Sequence, residues 1–190
     1  KRDWSSDVCS SDLRVLSQSG HTVEAEKQAR QWLETHPDDH EIALLLASTL
    51  LNTGRTVETI QHYEELLPKQ PDNVIVLNNL AFLYIDSDLE KAAQYAEKAY
   101  KLAPKFSAIV DTYGWITLKQ GQHQKALSAL SKAHTLDPDE PSIQYHLAAA
   151  QANNDQKLAA IKLLRELSDK EFPEKTEANA LLSSLEWKPE

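Results

Sequence analysis

The chain has 190 residues, with 20 Lys and Arg against 29 Asp and Glu and a formal net charge of −9. Hydrophobic residues at 41% and charged residues at 26% describe a globular chain with a core, not a disordered one. The acidic balance, without any run of Lys and Arg, argues against nucleic acid or an anionic membrane surface as partner. No stretch approaches the roughly 20 apolar residues of a membrane span, and a single cysteine excludes an internal disulfide or an all-cysteine zinc site.

Residues 1–13 read KRDWSSDVCSSDL and show no helical periodicity. The run from Asp7 to Leu13 resembles a translated sequencing adapter, so this segment is expected to be foreign to the natural chain, the alternative being a natural Ser-rich tail. On the adapter reading Cys9 says nothing about redox compartment, and the natural chain starts further upstream. Arg14 to Ser19 reads as the remnant of a helix, and Thr22 to Thr35 as its partner. With so short a partner, the apolar face of the second helix is incompletely covered, and this end should fray first.

From here a beat sets in. Pro37, Pro71, Pro104 and Pro138 are separated by 34, 33 and 34 residues, and Gly20, Gly54 and Gly121 each precede such a proline by 17. Small residues recur between them at Ala25, Ala92, Ala126 and Ala160, and again at Ala99 and Ala133. The copy from Ser107 to Pro138 is the clearest. A first helix runs from Ser107 to Gln120, Gly121 supplies the left-handed residue that ends it, and a second helix runs from His123 to Leu136 with Ala126, Ala129, Leu130 and Ala133 on one face. Asp137-Pro138 stops it, because proline cannot continue the ladder. Gly114 and Ala126 are small enough for the two helices to approach closely. The spans are 14–39 (incomplete), 40–73, 74–106, 107–140 and 141–173, followed by a capping helix and tail over 174–190, with the helix itself from Glu174 to Trp187.

These features resemble the tetratricopeptide repeat family, on Gly114, Gly121, Ala126, Ala133 and Pro138 of the clearest copy. Other copies depart from the pattern: Thr59 and Leu66 stand at the two small sites of one, IDSD replaces the turn glycine of the next one residue short, and Asn154-Asp155 makes the turn of the last. The resemblance implies an all-α right-handed superhelix of antiparallel helical hairpins, with the first helix of each hairpin on the concave side. It also implies a protein or peptide partner, no cofactor and no catalysis.

On that concave side the expected stripe is Asn78, Asn79, Phe82 and Asp86, then Asp111, Thr112, Trp115 and Lys119, then Tyr145, His146, Ala149 and Asn153. Phe82, Trp115 and Tyr145 are expected to form an aromatic row beside Asn and Asp, suited to an extended peptide: rings give contact area at low entropy cost, and carboxamides pair with peptide backbone. The alternative is that these rings pack between repeats. The carboxylate clamp of some family members uses Lys and Arg on successive first helices, whereas this stripe has Lys119 alone, near its end. His36 and His40 are four apart, but Pro37 breaks the helix needed for a metal pair, so no metal is expected. No P-loop, GxSxG, HExxH or CxxC is present. The acidic turn Asp137-Pro138-Asp139-Glu140 reads as helix capping.

The blocks NNLAFLY, AEKAYKLAP, DTYGWITLKQG and PSIQYHLAAAQ also resemble the C-terminal repeats of bacterial envelope lipoproteins of the exosortase/PEP-CTERM type. That narrower resemblance implies export of exopolysaccharide or surface protein in a periplasmic or envelope location, with a lipid anchor upstream. An alternative stays open: these repeats present substrate to the catalytic domain of a larger enzyme, such as a glycosyltransferase or a protease. Oligomeric state is not legible.

Overall fold

Alternating apolar and small residues at helical spacing, cut by turn residues every half-repeat, leave the chain one economical solution, which is to fold as successive helical hairpins. The computed structural model describes residues 13–16 and 19–187, and among these every regular element is helical. The helices are α1 (Thr22–Thr35), α2 (His40–Asn52), α3 (Thr56–Leu66), α4 (Val74–Tyr84), α5 (Leu89–Leu102), α6 (Ser107–Lys119), α7 (His123–Leu136), α8 (Pro141–Ala152), α9 (Lys157–Glu166) and α10 (Lys175–Glu186). Residues 13–16 form a short helical piece before them. The chain divides into two units, one up to Val76 and one from Leu77.

In the first unit Leu13, Ala29, Ile42, Leu46 and Leu50 form the core, with Trp32 and Leu33 packed against it. Leu13 is fully buried. It falls within the segment expected to be foreign, yet it packs with Ala29 of α1 and with Ile42, Leu46 and Leu50 of α2. The remainder of that segment, including Cys9, lies outside the described residues. Asp39 joins the two helices: its Oδ1 accepts from the Ile42 amide at 3.2 Å, capping α2, and its Oδ2 accepts from the Trp32 indole at 2.8 Å.

A charge network crosses α1 and α3. Arg30 donates to Glu26 at 2.9 Å and to Glu58, while Arg55 donates to Glu26 at 2.7 Å and to Glu58. Burial pushes the Glu26 carboxyl up, but hydrogen bonds from Arg30 and Arg55 outweigh it and hold the group below its ordinary value near 4.5. Hydrogen bonding from Arg30 and then Arg55 does the same for Glu58. A carboxyl depressed in the folded state adds stability above its unfolded pKa and loses it as pH falls through the folded one. Thermal melts of Glu26→Gln are therefore expected below wild type at pH 7, with the difference closing as pH drops below about 4. A gap that persists in acid would remove the network from the account.

The second unit stacks its helices with small residues at the crossings. Ala92, Ala126 and Ala160 on α5, α7 and α9 are fully buried, as are Ala81 and Ala148 on α4 and α8. Gly114 of α6 takes the place equivalent to Ala81 and Ala148, and a Cβ there would lie 2.7 Å from Leu130 Cγ. Only a glycine lets α6 and α7 come this close. Tyr100 and Tyr113 stack at 4.4 Å between ring centroids and 3° between planes, sealing α5 against α6.

Turn chemistry follows loop length. Gly121 sits at φ +75 with the Gln122 amide reaching back to Thr117 O, and Asp155 sits at φ +59 with the Gln156 amide reaching Gln151 O. The shorter loop after α4 closes by the Asp88 amide on Tyr84 O at 2.8 Å and uses no left-handed residue among those described. This is why IDSD needs no glycine. After α9, helix α10 lays Ala178, Leu181, Leu182 and Leu185 against Tyr145, Leu164 and Leu167.

Candidate functional site

The first helices of three hairpins, α4, α6 and α8, bring the expected residues to one side of the second unit. Matching Ala81, Gly114 and Ala148 sets the register. Asn78 is then equivalent to Asp111 and Tyr145, Asn79 to Thr112 and His146, and Phe82 to Trp115 and Ala149. The aromatic row is thus Phe82 and Trp115 only.

Tyr145 is a correction to the expected groove. It is 8% exposed and packs with Ala148, Leu164, Leu167 and Ala178 under α10. The physical reason is the register: it stands one helical turn before the Trp115 position, on the side that meets α9 and α10. Burial, together with the Glu177 and Glu174 carboxylates, pushes its phenol pKa up, so the hydroxyl stays neutral. The position on α8 equivalent to Trp115 is Ala149, itself buried.

Of the expected residues, Phe82, Asp111, Thr112, Trp115 and His146 line a groove of about 300 Å³, with Ile85 beside them. Phe82 is 57% exposed, a large apolar ring at the edge of this groove. Trp115 is half-buried. Its indole stacks on the His146 imidazole at 4.1 Å and 21°, and the Lys119 ammonium lies 4.8 Å from its ring centroid. His146, 6% exposed, donates through Nδ1 to the Asp111 carboxylate at 2.9 and 3.0 Å. That bond crosses 35 residues of sequence and ties α8 to α6. Thr112 turns its hydroxyl onto its own helix, donating to Ala108 O at 2.9 Å. Asn78 and Asn79 are half-buried on α4, outside the lining residues of this groove, and the Asn78 Oδ1 is buried without a hydrogen-bond partner.

Sequence reasoning missed the acidic wall. Asp137, Glu140 and Glu174 line the same groove. Glu140 does cap α8, accepting from the Ser142 amide at 3.4 Å, and Glu174 accepts from the Ser142 hydroxyl at 2.9 Å. Capping and lining are compatible, because the first turn of α8 lies one turn from His146. That spacing was the available signal.

Hairpins of this kind, with small residues at the crossings and a side-chain stripe on each first helix, define a helical-repeat scaffold. Tetratricopeptide repeat family models match residues 14–74 and 117–185, and the chain belongs to that repeat family. Among curated relatives, the TPR repeat-containing protein PA4667 of Pseudomonas aeruginosa is 29% identical over 133 residues, covering 67% of this chain and 22% of that protein. The human Protein O-mannosyl-transferase TMTC3 is 28% identical over 178 residues, covering 77% and 20%. The chain therefore spans about a fifth of the length of these relatives. Solved structures similar in fold include a thermophilic TPR protein of Thermus thermophilus (TM-score 0.70, 19% identity, 93% of this chain and 98% of that one). Another is pilF of Pseudomonas aeruginosa (0.73, 20%, 97% and 90%). Among the described residues no helix is long and apolar enough to cross a membrane.

Proposed function

We propose that the second unit is a non-catalytic interaction module that holds an extended peptide or partner segment across α4, α6 and α8. Asn78, Asn79, Phe82, Asp111, Thr112, Trp115 and His146 are the proposed contact residues, with Tyr145 supporting from behind. The observation that carries this reading is Phe82, a phenyl ring left 57% exposed beside a groove whose other aromatic, Trp115, is held in place by a buried His–Asp pair. Exposed aromatics at preformed grooves are where binding energy concentrates. Peptides selected from a displayed random library on the purified chain are expected to lose at least about tenfold in affinity on Phe82→Glu, roughly 1.4 kcal/mol or more. Val57→Glu, at a similarly exposed position of the first unit, should leave them unchanged. Selected peptides indifferent to Phe82→Glu would overturn the reading.

A second reading is favoured by the human relative, whose name is that of a transferase: the repeats then present substrate to a catalytic domain of a larger chain. The envelope-export setting belongs to the same proposal. It rests on the repeat blocks given above, and fractionation of the full-length gene product with the soluble cytoplasm would end it.

A further inference from the structure

Four carboxylates, Asp111, Asp137, Glu140 and Glu174, line the groove, and neither Lys nor Arg does. Asp111 is taken up by His146 and Glu174 by the Ser142 hydroxyl. Among the described residues, no Lys or Arg lies within salt-bridge distance of Asp137, Glu140 or Glu174. Acids at a helix start are commonplace, and alone they would mean little.

The rings of the same groove are an independent observation: Phe82 is 57% exposed, and Trp115 is half-buried beside it. The His146 side chain is more than nine-tenths buried and lines the groove, with Nδ1–H committed to Asp111. That bond, with the ring laid on Trp115, fixes the imidazole as part of the groove wall. Phe82 and Ile85 add an apolar wall to the same groove. The groove therefore suits positive charge and an apolar side chain together.

We infer that the groove takes an extended segment in which an Arg or Lys stands beside an apolar residue, the cation facing Asp137 and Glu140 and the apolar side chain facing Phe82. This rests on the peptide-binding reading and names its partner chemistry. A guanidinium suits it best, since it can give two parallel hydrogen bonds to one carboxylate.

The test uses three labelled peptides of alternating Leu and X, with X being Arg, Ser or Glu, titrated against the whole chain by fluorescence anisotropy. The Arg peptide is expected to bind at least about tenfold more tightly than the Ser peptide, with the Glu peptide weaker still. Its affinity should fall between about 50 and about 300 mM salt. Asp137→Lys with Glu140→Lys should remove at least about tenfold of that affinity. Glu24→Lys with Glu34→Lys, an equal charge change on exposed positions of α1, should remove far less. Ellipticity spectra check that both variants are folded. Ser or Glu peptides binding as tightly as the Arg peptide would overturn the inference and leave the groove reading standing. Equal losses in the two double variants would also overturn it, since the attraction would then be to the net charge of the chain. Library selection that yields no groove-dependent peptide would overturn both.

Discussion

Gly114→Ala is expected to lower stability by about 1–2 kcal/mol, although alanine is favoured over glycine in a helix by about 1 kcal/mol. The new methyl carbon would sit 2.7 and 2.8 Å from Leu130 Cγ and Cδ2 and 3.3 Å from Ala129 Cβ. Leu130 is itself fully buried and cannot swing into solvent. Either α6 shifts away from α7 or Leu130 leaves its rotamer, and both forfeit packing. Leu130→Ala alone removes a buried leucine and should lose about 2–5 kcal/mol. The double variant should lose less than the sum, by roughly 1 kcal/mol, because the alanine at 114 then occupies vacated space. Urea denaturation of the four proteins checks this. Strict additivity would mean that the helices have another way to separate, and the close crossing would not be what glycine is for.

The Asp111–His146 pair gives the second large effect. Both side chains are nearly closed off, 12% and 8% exposed, and each leaves the other unsatisfied when removed. Asp111→Ala strands a buried imidazole N–H and should lose about 3 kcal/mol. Asp111→Asn keeps an acceptor at the same place and should lose less. Replacing both by apolar residues of similar volume, Asp111→Leu with His146→Phe, should come within about 1 kcal/mol of wild type. Loss of peptide binding in that stable double variant would show the pair to be kept for recognition. A double variant as unstable as Asp111→Ala would show instead that the pair holds α6 to α8.

Much of the fold is legible in the sequence because it is periodic. Prolines at the end of the repeats and glycines at the middle of three of them fix where helices stop, and α1 and α7 run over the expected residues, Thr22–Thr35 and His123–Leu136. The small residues at the crossings were only partly legible: Gly114 stands out, whereas Ala81 carries no distinguishing mark until the hairpins are superposed. Tyr145 shows the cost of counting from the prolines. An aromatic at about the right distance passed for a member of the row, yet it stands one turn early and faces α10. His146 illustrates a different limit. Its burial depends on Asp111, 35 residues away, and on a tryptophan laid flat against it, and no local pattern reports a contact of that range. The acids of the α8 turn were read for their local task alone, since capping explains them fully until the groove above them is seen.

The grooved face of α4, α6 and α8 is proposed as the binding surface, and everything else about function hangs on it. Titrating a selected peptide into isotope-labelled chain and following backbone amides and the tryptophan indole resonances tests it most directly. The largest shifts are expected at Phe82, Asp111, Thr112, Trp115 and His146, with α5, α7 and α9 quiet. Shifts concentrated on α5 and α7 would place the ligand in the cavity lined by Glu97, Tyr113 and Lys125 and contradict it.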